Sequence, residues 1–218
     1  IWSAGGSEVN EPEALLEFWF GEPSDGFSDD AHRQQWFSGG SPFDDDCRMQ
    51  FSSLAARAAD GELNHWQDDP RSCLAFILLT DQIPRNVHRG TPLAFATDGP
   101  ALNAARNGVT SGIDRALCFD ERCFFYLPFE HSESLIDQHT CVGLFTQLRD
   151  QTPNGFRHLT GGYLQFAHQH RDIITRFGRF PHRNAVLGRT SSAEELEFLQ
   201  DGPQFGQTPE HTDDQENA

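Results

Sequence analysis

Three short stretches of the 218-residue chain concentrate the side chains able to do chemistry. His170 to Arg189 (HRDIITRFGRFPHRNAVLGR) carries His170 and His182 with Arg176, Arg179, Arg183, Arg189 and Asn184, around a Gly-Arg-Phe-Pro break. Asp81 to Arg89 (DQIPRNVHR) places Asp81, Arg85, Asn86 and Arg89 on either side of Pro84. Pro128 to Glu133 (PFEHSE) adds Glu130, His131 and Glu133. Clustered guanidiniums repel one another unless carboxylates or a bound anion neutralise them. Set against these arginines, Asp81, Glu130 and Glu133 leave positive charge over. That surplus predicts a small anionic ligand, a phosphate, sulfate or carboxylate, held by bidentate guanidinium contacts. Asp81, Arg85, Asn86, Arg89, Arg176, Arg179, His182, Arg183 and Asn184 are the candidate binding set. An imidazole beside a carboxylate can exchange protons near neutral pH, so His131 or His170 with Glu130 or Glu133 would be the acid and base of any catalysis.

Each feature also has a plainer account. The spacing starts a long helix at Glu130, and acids in a first turn gain about 0.3–1 kcal/mol each from the helix dipole alone. Arg85 and Asn86 could cap carbonyls after a proline-broken helix; Asp81 and Arg85, four apart, would meet only if that helix persisted past Pro84. His170 shares a stripe with Ile173, Ile174 and Phe177, a place where core histidines sit. The arginines could be a salt-bridge web joining helices. On that account the protein is a non-catalytic helical-repeat adaptor, with a concave face for a protein or peptide partner and the charged motifs as braces. No HExxH, GxSxG, Walker or GxGxxG pattern is present, so neither a metal nor a cofactor is expected.

Composition narrows the classes further. Sixteen basic residues, all arginine, stand against 33 acidic ones, a formal charge of −17. Such a field repels nucleic acid and anionic membrane surfaces. Five cysteines without CxxC spacing read as buried free thiols in a reducing compartment. No apolar run approaches the ~20 residues of a membrane span, and no charged-then-apolar leader opens the chain, so a cytoplasmic protein is expected.

The elements that must position these residues read as helices throughout. Pro12 opens one with Leu15, Leu16, Trp19 and Phe20 inward. Trp36 and Phe37 mark a second, and Asp44 or Asp45 starts a third through Met49, Phe51 and Leu54 to Asp60-Gly61. Asp69-Pro70 is an N-cap and first-turn proline opening a buried helix over 71–82, ended by Pro84. A helix from Asp98 to Gly108, a short aromatic one over 120–127 broken by Pro128, and long ones over 130–148 and 156–177, loosened at Gly161-Gly162, complete the body. Ser191 or Ser192 caps a last helix with Leu196, Phe198 and Leu199 inward. Residues 1–11 are expected to be loose, 12–200 to form a single all-α domain, and 201–218 to be an acidic, mostly disordered tail.

LAFILLTDQIPRNVHRGTPLAFATD, FFYLPFEHSE and HRDIITRFGRFPHRNAVLGR, in that order, together with EFWFG near the start, resemble the bacterial family known as domain of unknown function 924. The resemblance spans residues 12–200 and implies an irregular, tetratricopeptide-repeat-like helical array; it implies no activity. Ile83, Ser134 and Ser192-Ala193 stand where the family usually has Phe, Asp and Thr-Pro, and none of these changes touches a charged motif residue.

Overall fold

The computed structural model describes residues 10–36, 42–203 and 205. Phe37 and most of the two terminal segments expected to be loose lie outside them. The described chain is all-α, with ten helices: α1 (Glu11–Phe20), α2 (Asp30–Gln35), α3 (Pro42–Ala59), α4 (Pro70–Ile77), α5 (Ile83–Val87), α6 (Asp98–Ser111), α7 (Phe119–Glu130), α8 (Leu135–Gln151), α9 (Arg157–Phe177) and α10 (Ala193–Asp201). None of them is long and apolar enough to cross a membrane.

Aromatic rings knit the N-terminal half to α7. Phe124 meets Trp36 at 4.7 Å, Phe20 at 5.4 Å and Trp19 at 5.6 Å between ring centroids, all edge-on, the arrangement that aromatic quadrupoles prefer. The Trp36 indole N–H donates to the Trp19 carbonyl at 2.8 Å, which fixes the end of α2 on α1. Helix α6 closes on α7 at Gly108, where an added Cβ would stand 2.3 Å from the Phe125 ring, so any other residue would force the ring or the helices to shift. Asp69 caps α4 by accepting from the N–H groups of Arg71 and Ser72, both at 3.1 Å, as its sequence position predicts.

Prolines shape the helices in a way the sequence pattern did not anticipate. Pro84 does not end the buried helix, which runs on from α4 through α5. Pro84 has no N–H for the Thr80 carbonyl four residues back, and its ring crowds that oxygen. The chain responds by widening into a π-helical turn over Leu78–Gln82, and the Thr97 hydroxyl supplies the missing donor to Thr80 at 2.6 Å. Pro128 likewise lies inside α7, where buried Leu127 and Phe129 on either side hold the last turn in place. The long helix therefore starts at Leu135, not at Glu130. Between the two helices, the fully buried Gln138 amide donates to the carbonyls of Glu130 (2.7 Å) and Ser132 (2.8 Å), satisfying orphaned acceptors of the α7 end. Helix α9 is not interrupted at Gly161-Gly162 but runs unbroken through both, with open space where a Cβ would stand on either. Leu196, expected inward on α10, is 57% exposed; buried Glu195 takes the inward position because it pairs with Arg179.

Candidate functional site

The π-helical turn aims Asp81 and Gln82 at the end of α7. Asp81 is fully buried, accepts from Gln82 Nε2 at 2.5 Å and meets Arg85 Nη1 at 3.1 Å, so the two residues four apart do pair across Pro84. Its third partner is His131 Nδ1 at 2.7 Å, contributed from the other side of the site. Burial opposes the charge on Asp81, yet Arg85, His131 and Gln82 together hold its carboxyl well below the usual range. An ionised carboxylate can only accept, so His131 carries its proton on Nδ1 and keeps the Nε2 lone pair. Burial and nearby Arg85 lower the His131 pKa despite Asp81, so the ring is neutral at physiological pH.

Glu130 and His170 form a second pair. His170 Nδ1 donates to the Phe166 carbonyl at 2.9 Å and lies 3.3 Å from Glu130 Oε1. Burial pushes His170 down to about 3. Burial first, and then the Asp81 charge, push Glu130 up to about 8. Glu130 ends α7 instead of starting a helix, so the backbone dipole also opposes its negative form. At neutral pH it is a carboxylic acid, a donor. The His131 and His170 rings stand 6.4 Å apart between centroids.

Of these groups, Gln82, Arg85, Glu130, His131 and His170 border one cavity of about 350 Å3, with Asp81 buried behind His131. Gln82, Arg85, Asn86, Arg89, Glu130, His131 and His170 line its polar side. Trp36, Leu127, Phe145, Tyr163 and Phe166 make the apolar remainder, and Phe205 packs over His170 with its ring tilted and the centroids 4.0 Å apart. The Tyr163 hydroxyl faces away from ligand duty, donating to buried Asp120 at 2.6 Å. Cys123 also lines the cavity, but burial raises its thiol well above the ordinary range, which leaves no thiolate for nucleophilic attack.

The arginines divide into two groups. Arg85 reaches Asp98 at 2.8 Å as well as Asp81; Arg89 forks onto Asp44 at 2.9 and 3.0 Å and donates to the Asn86 side-chain Oδ1 at 3.0 Å. Arg183 is buried between the Phe95 and Phe180 rings, 4.7 and 4.6 Å from their centroids, with Asp98 at 3.3 Å. Burial and Arg85 lower it to about 10. Neither Arg183 nor the other arginines of the 170–189 stretch line the cavity. Arg176 pairs with Glu194 at 2.8 Å, and Arg179 forks onto Glu195 at 2.7 and 2.8 Å. Arg189 forks onto Glu133 at 2.8 and 3.0 Å, and Glu133 also accepts from the Phe180 N–H. Glu133 is therefore a tie for the 178–189 loop and does not reach the cavity. Asn184 is buried and donates to Ser191 at 3.0 Å, and His182 packs on Phe180 and Phe205, burial lowering it to about 3. The positive surplus expected from sequence is thus largely met by Asp44, Asp98, Glu194 and Glu195. Asp98 and Asp44 read only as helix starts, and nothing in their spacing marked them as partners of arginines 85 and 45 residues away. Among the described residues, no three His, Cys, Asp or Glu side chains come together as a metal site.

Comparison with known proteins places the chain without assigning a reaction. A family model described as "Bacterial protein of unknown function (DUF924)" matches residues 15–203. The solved structure of a protein of unknown function, ATU0120 from Agrobacterium tumefaciens, is 37% identical and superposes with a TM-score of 0.74, over 88% of this chain and 97% of that one. No curated protein matches.

Proposed function

This chain belongs to the bacterial DUF924 family, and we propose that its cavity binds a small anionic molecule and performs acid–base chemistry on it. One observation carries the reading: the buried Asp81 carboxylate holds His131 at 2.7 Å on the wall of a cavity that Arg85, Arg89 and Glu130 also line. The roles follow from protonation states. Asp81 fixes the ring and tautomer of His131 and stabilises its cation; His131 Nε2 takes a proton from the ligand. Glu130, protonated and beside His170, gives one back. Arg85 and Arg89, with Asn86, orient the anionic end. Arg183 supports the site from behind by sharing Asp98 with Arg85. The five thiols, none of them in a disulfide, suit a reducing compartment, the cytoplasm.

The test is a thermal-shift panel of small organic anions on the wild type and on Leu127→Trp, which fills the cavity without touching the charged web. A ligand at 100 times its dissociation constant adds about 2.7 kcal/mol. A saturable shift in the wild type that Leu127→Trp loses supports the site. Absence of any shift across the panel overturns it and returns the motifs to braces of an adaptor. For the chemistry, Glu130→Gln and His131→Asn should keep binding and lose turnover; unchanged turnover in both would remove the acid–base roles.

A further inference from the structure

Resting on that reading, we infer that the ligand is a singly charged carboxylate carrying an apolar aryl or branched-alkyl body, in preference to a phosphorylated metabolite. The charge balance of the polar wall is the first reason. Arg85, Arg89 and Arg183 are matched by Asp81, Asp98 and Asp44 at 2.8–3.3 Å. Of these six, Arg85 and Arg89 line the cavity, and guanidiniums already offset by carboxylates gain too little from a dianion to repay its larger desolvation cost. The wider field presses the same way, because a chain of formal charge −17 repels a dianion more strongly than a monoanion.

The second reason is the other end of the cavity. Beyond the polar wall the surface is Leu127, Phe145, Phe166 and the Trp36 ring, while Tyr163 commits its hydroxyl to Asp120. Sugar hydroxyls placed there would lose water without gaining partners, at roughly 1–3 kcal/mol each. A hydrocarbon body gains from the same surroundings, and the edges and faces of Phe145, Phe166 and Trp36 suit an aromatic ring. The size is the third. About 350 Å3 lies at the small end of the ~300–1,000 Å3 span of ligand pockets, which suits a compact acid.

The experiment is calorimetric titration of the full chain with phenylacetate, 4-methylpentanoate, acetate, phenylacetamide, phenyl phosphate and glucose 6-phosphate. Phenylacetate or 4-methylpentanoate should bind saturably, and Leu127→Trp should abolish it while keeping the wild type's helical circular dichroism and a cooperative, if lowered, melt. Acetate, lacking the buried body, should bind about 10- to 100-fold more weakly. Phenylacetamide isolates the charge and should also fall by at least tenfold. If a phosphate ester binds best and Leu127→Trp removes it, the anion site stands and the carboxylate class is overturned. If phenylacetamide equals phenylacetate, the charge is not read and the class falls as well. If none of the six binds, the class and the underlying site fall together.

Discussion

Replacing Glu130 with glutamine should make the protein more stable, and only above a defined pH. Glu130 is 5% exposed, ends a helix and lies close enough to ionised Asp81 to feel its charge; it holds its proton up to about pH 8 against an ordinary 4.5. A folded-state pKa raised above the unfolded one means that the native state binds the extra proton throughout that window. Stability from Glu130 is therefore complete below about pH 4.5 and is lost as pH rises towards 8, at about 1.4 kcal/mol per pH unit. By about pH 7 the loss amounts to roughly 3 kcal/mol. Glutamine keeps the shape and neutrality of the protonated acid and does not titrate, so it escapes the loss. At roughly 2–4 °C per kcal/mol for a domain of this size, the variant should melt about 10 °C higher than the wild type near pH 7 and equally near pH 4.5. Paired melting curves across pH 4.5–8.5 read the difference, in which every other titrating group cancels. Parallel curves would show that Glu130 ionises in the ordinary range, and the proton-donor role would go with it.

Other outcomes follow from the same contacts. Asp81→Asn takes one of two carboxylates from buried Arg85 and the charged acceptor from His131, and should cost about 1–3 kcal/mol by urea unfolding; because the Asp81 pKa is depressed, its stabilisation is present above the ordinary 3.8 and fades below it, so the variant should also lose part of the wild type's acid-unfolding transition. Thr97→Val removes the hydroxyl that serves the Thr80 carbonyl and should cost about 1–3 kcal/mol, with amide exchange quickening around residues 78–83 and little change elsewhere. Phe205→Ala uncovers the His170 side of the cavity; stopped-flow binding should show faster association and dissociation with the melting temperature nearly unchanged, whereas a large loss of stability would make Phe205 a core residue.

Helix content was legible from apolar spacing and caps, and Asp69-Pro70 and Ser192 with Glu195 behave as their types dictate. The prolines were misleading because their cost is local while the forces that overrule it are tertiary. Thr97 serves the carbonyl that Pro84 strands, and the buried residues around Pro128 hold its turn. From the three charged motifs, Arg85, Asn86, Arg89, Glu130, His131 and His170 line one cavity, with Asp81 buried behind His131. The apolar half did not announce itself. Phe145, Tyr163 and Leu127 have the same spacing as core residues, and only the path of the backbone leaves space beside them. Arginine partners were equally hidden, since Asp44 and Asp98 approach through the fold and not along the chain.

The most direct measurement is a nitrogen-resolved NMR titration of 15N-histidine-labelled protein with the small-anion panel. The account predicts that His131 and His170 begin as neutral rings protonated on Nδ1 and that both shift with a single dissociation constant. Surface histidines such as His65 and His139 should stay still. Resonances of His131 and His170 that remain fixed under every anion would contradict it, and would leave the buried charges as the internal bracing of a helical scaffold.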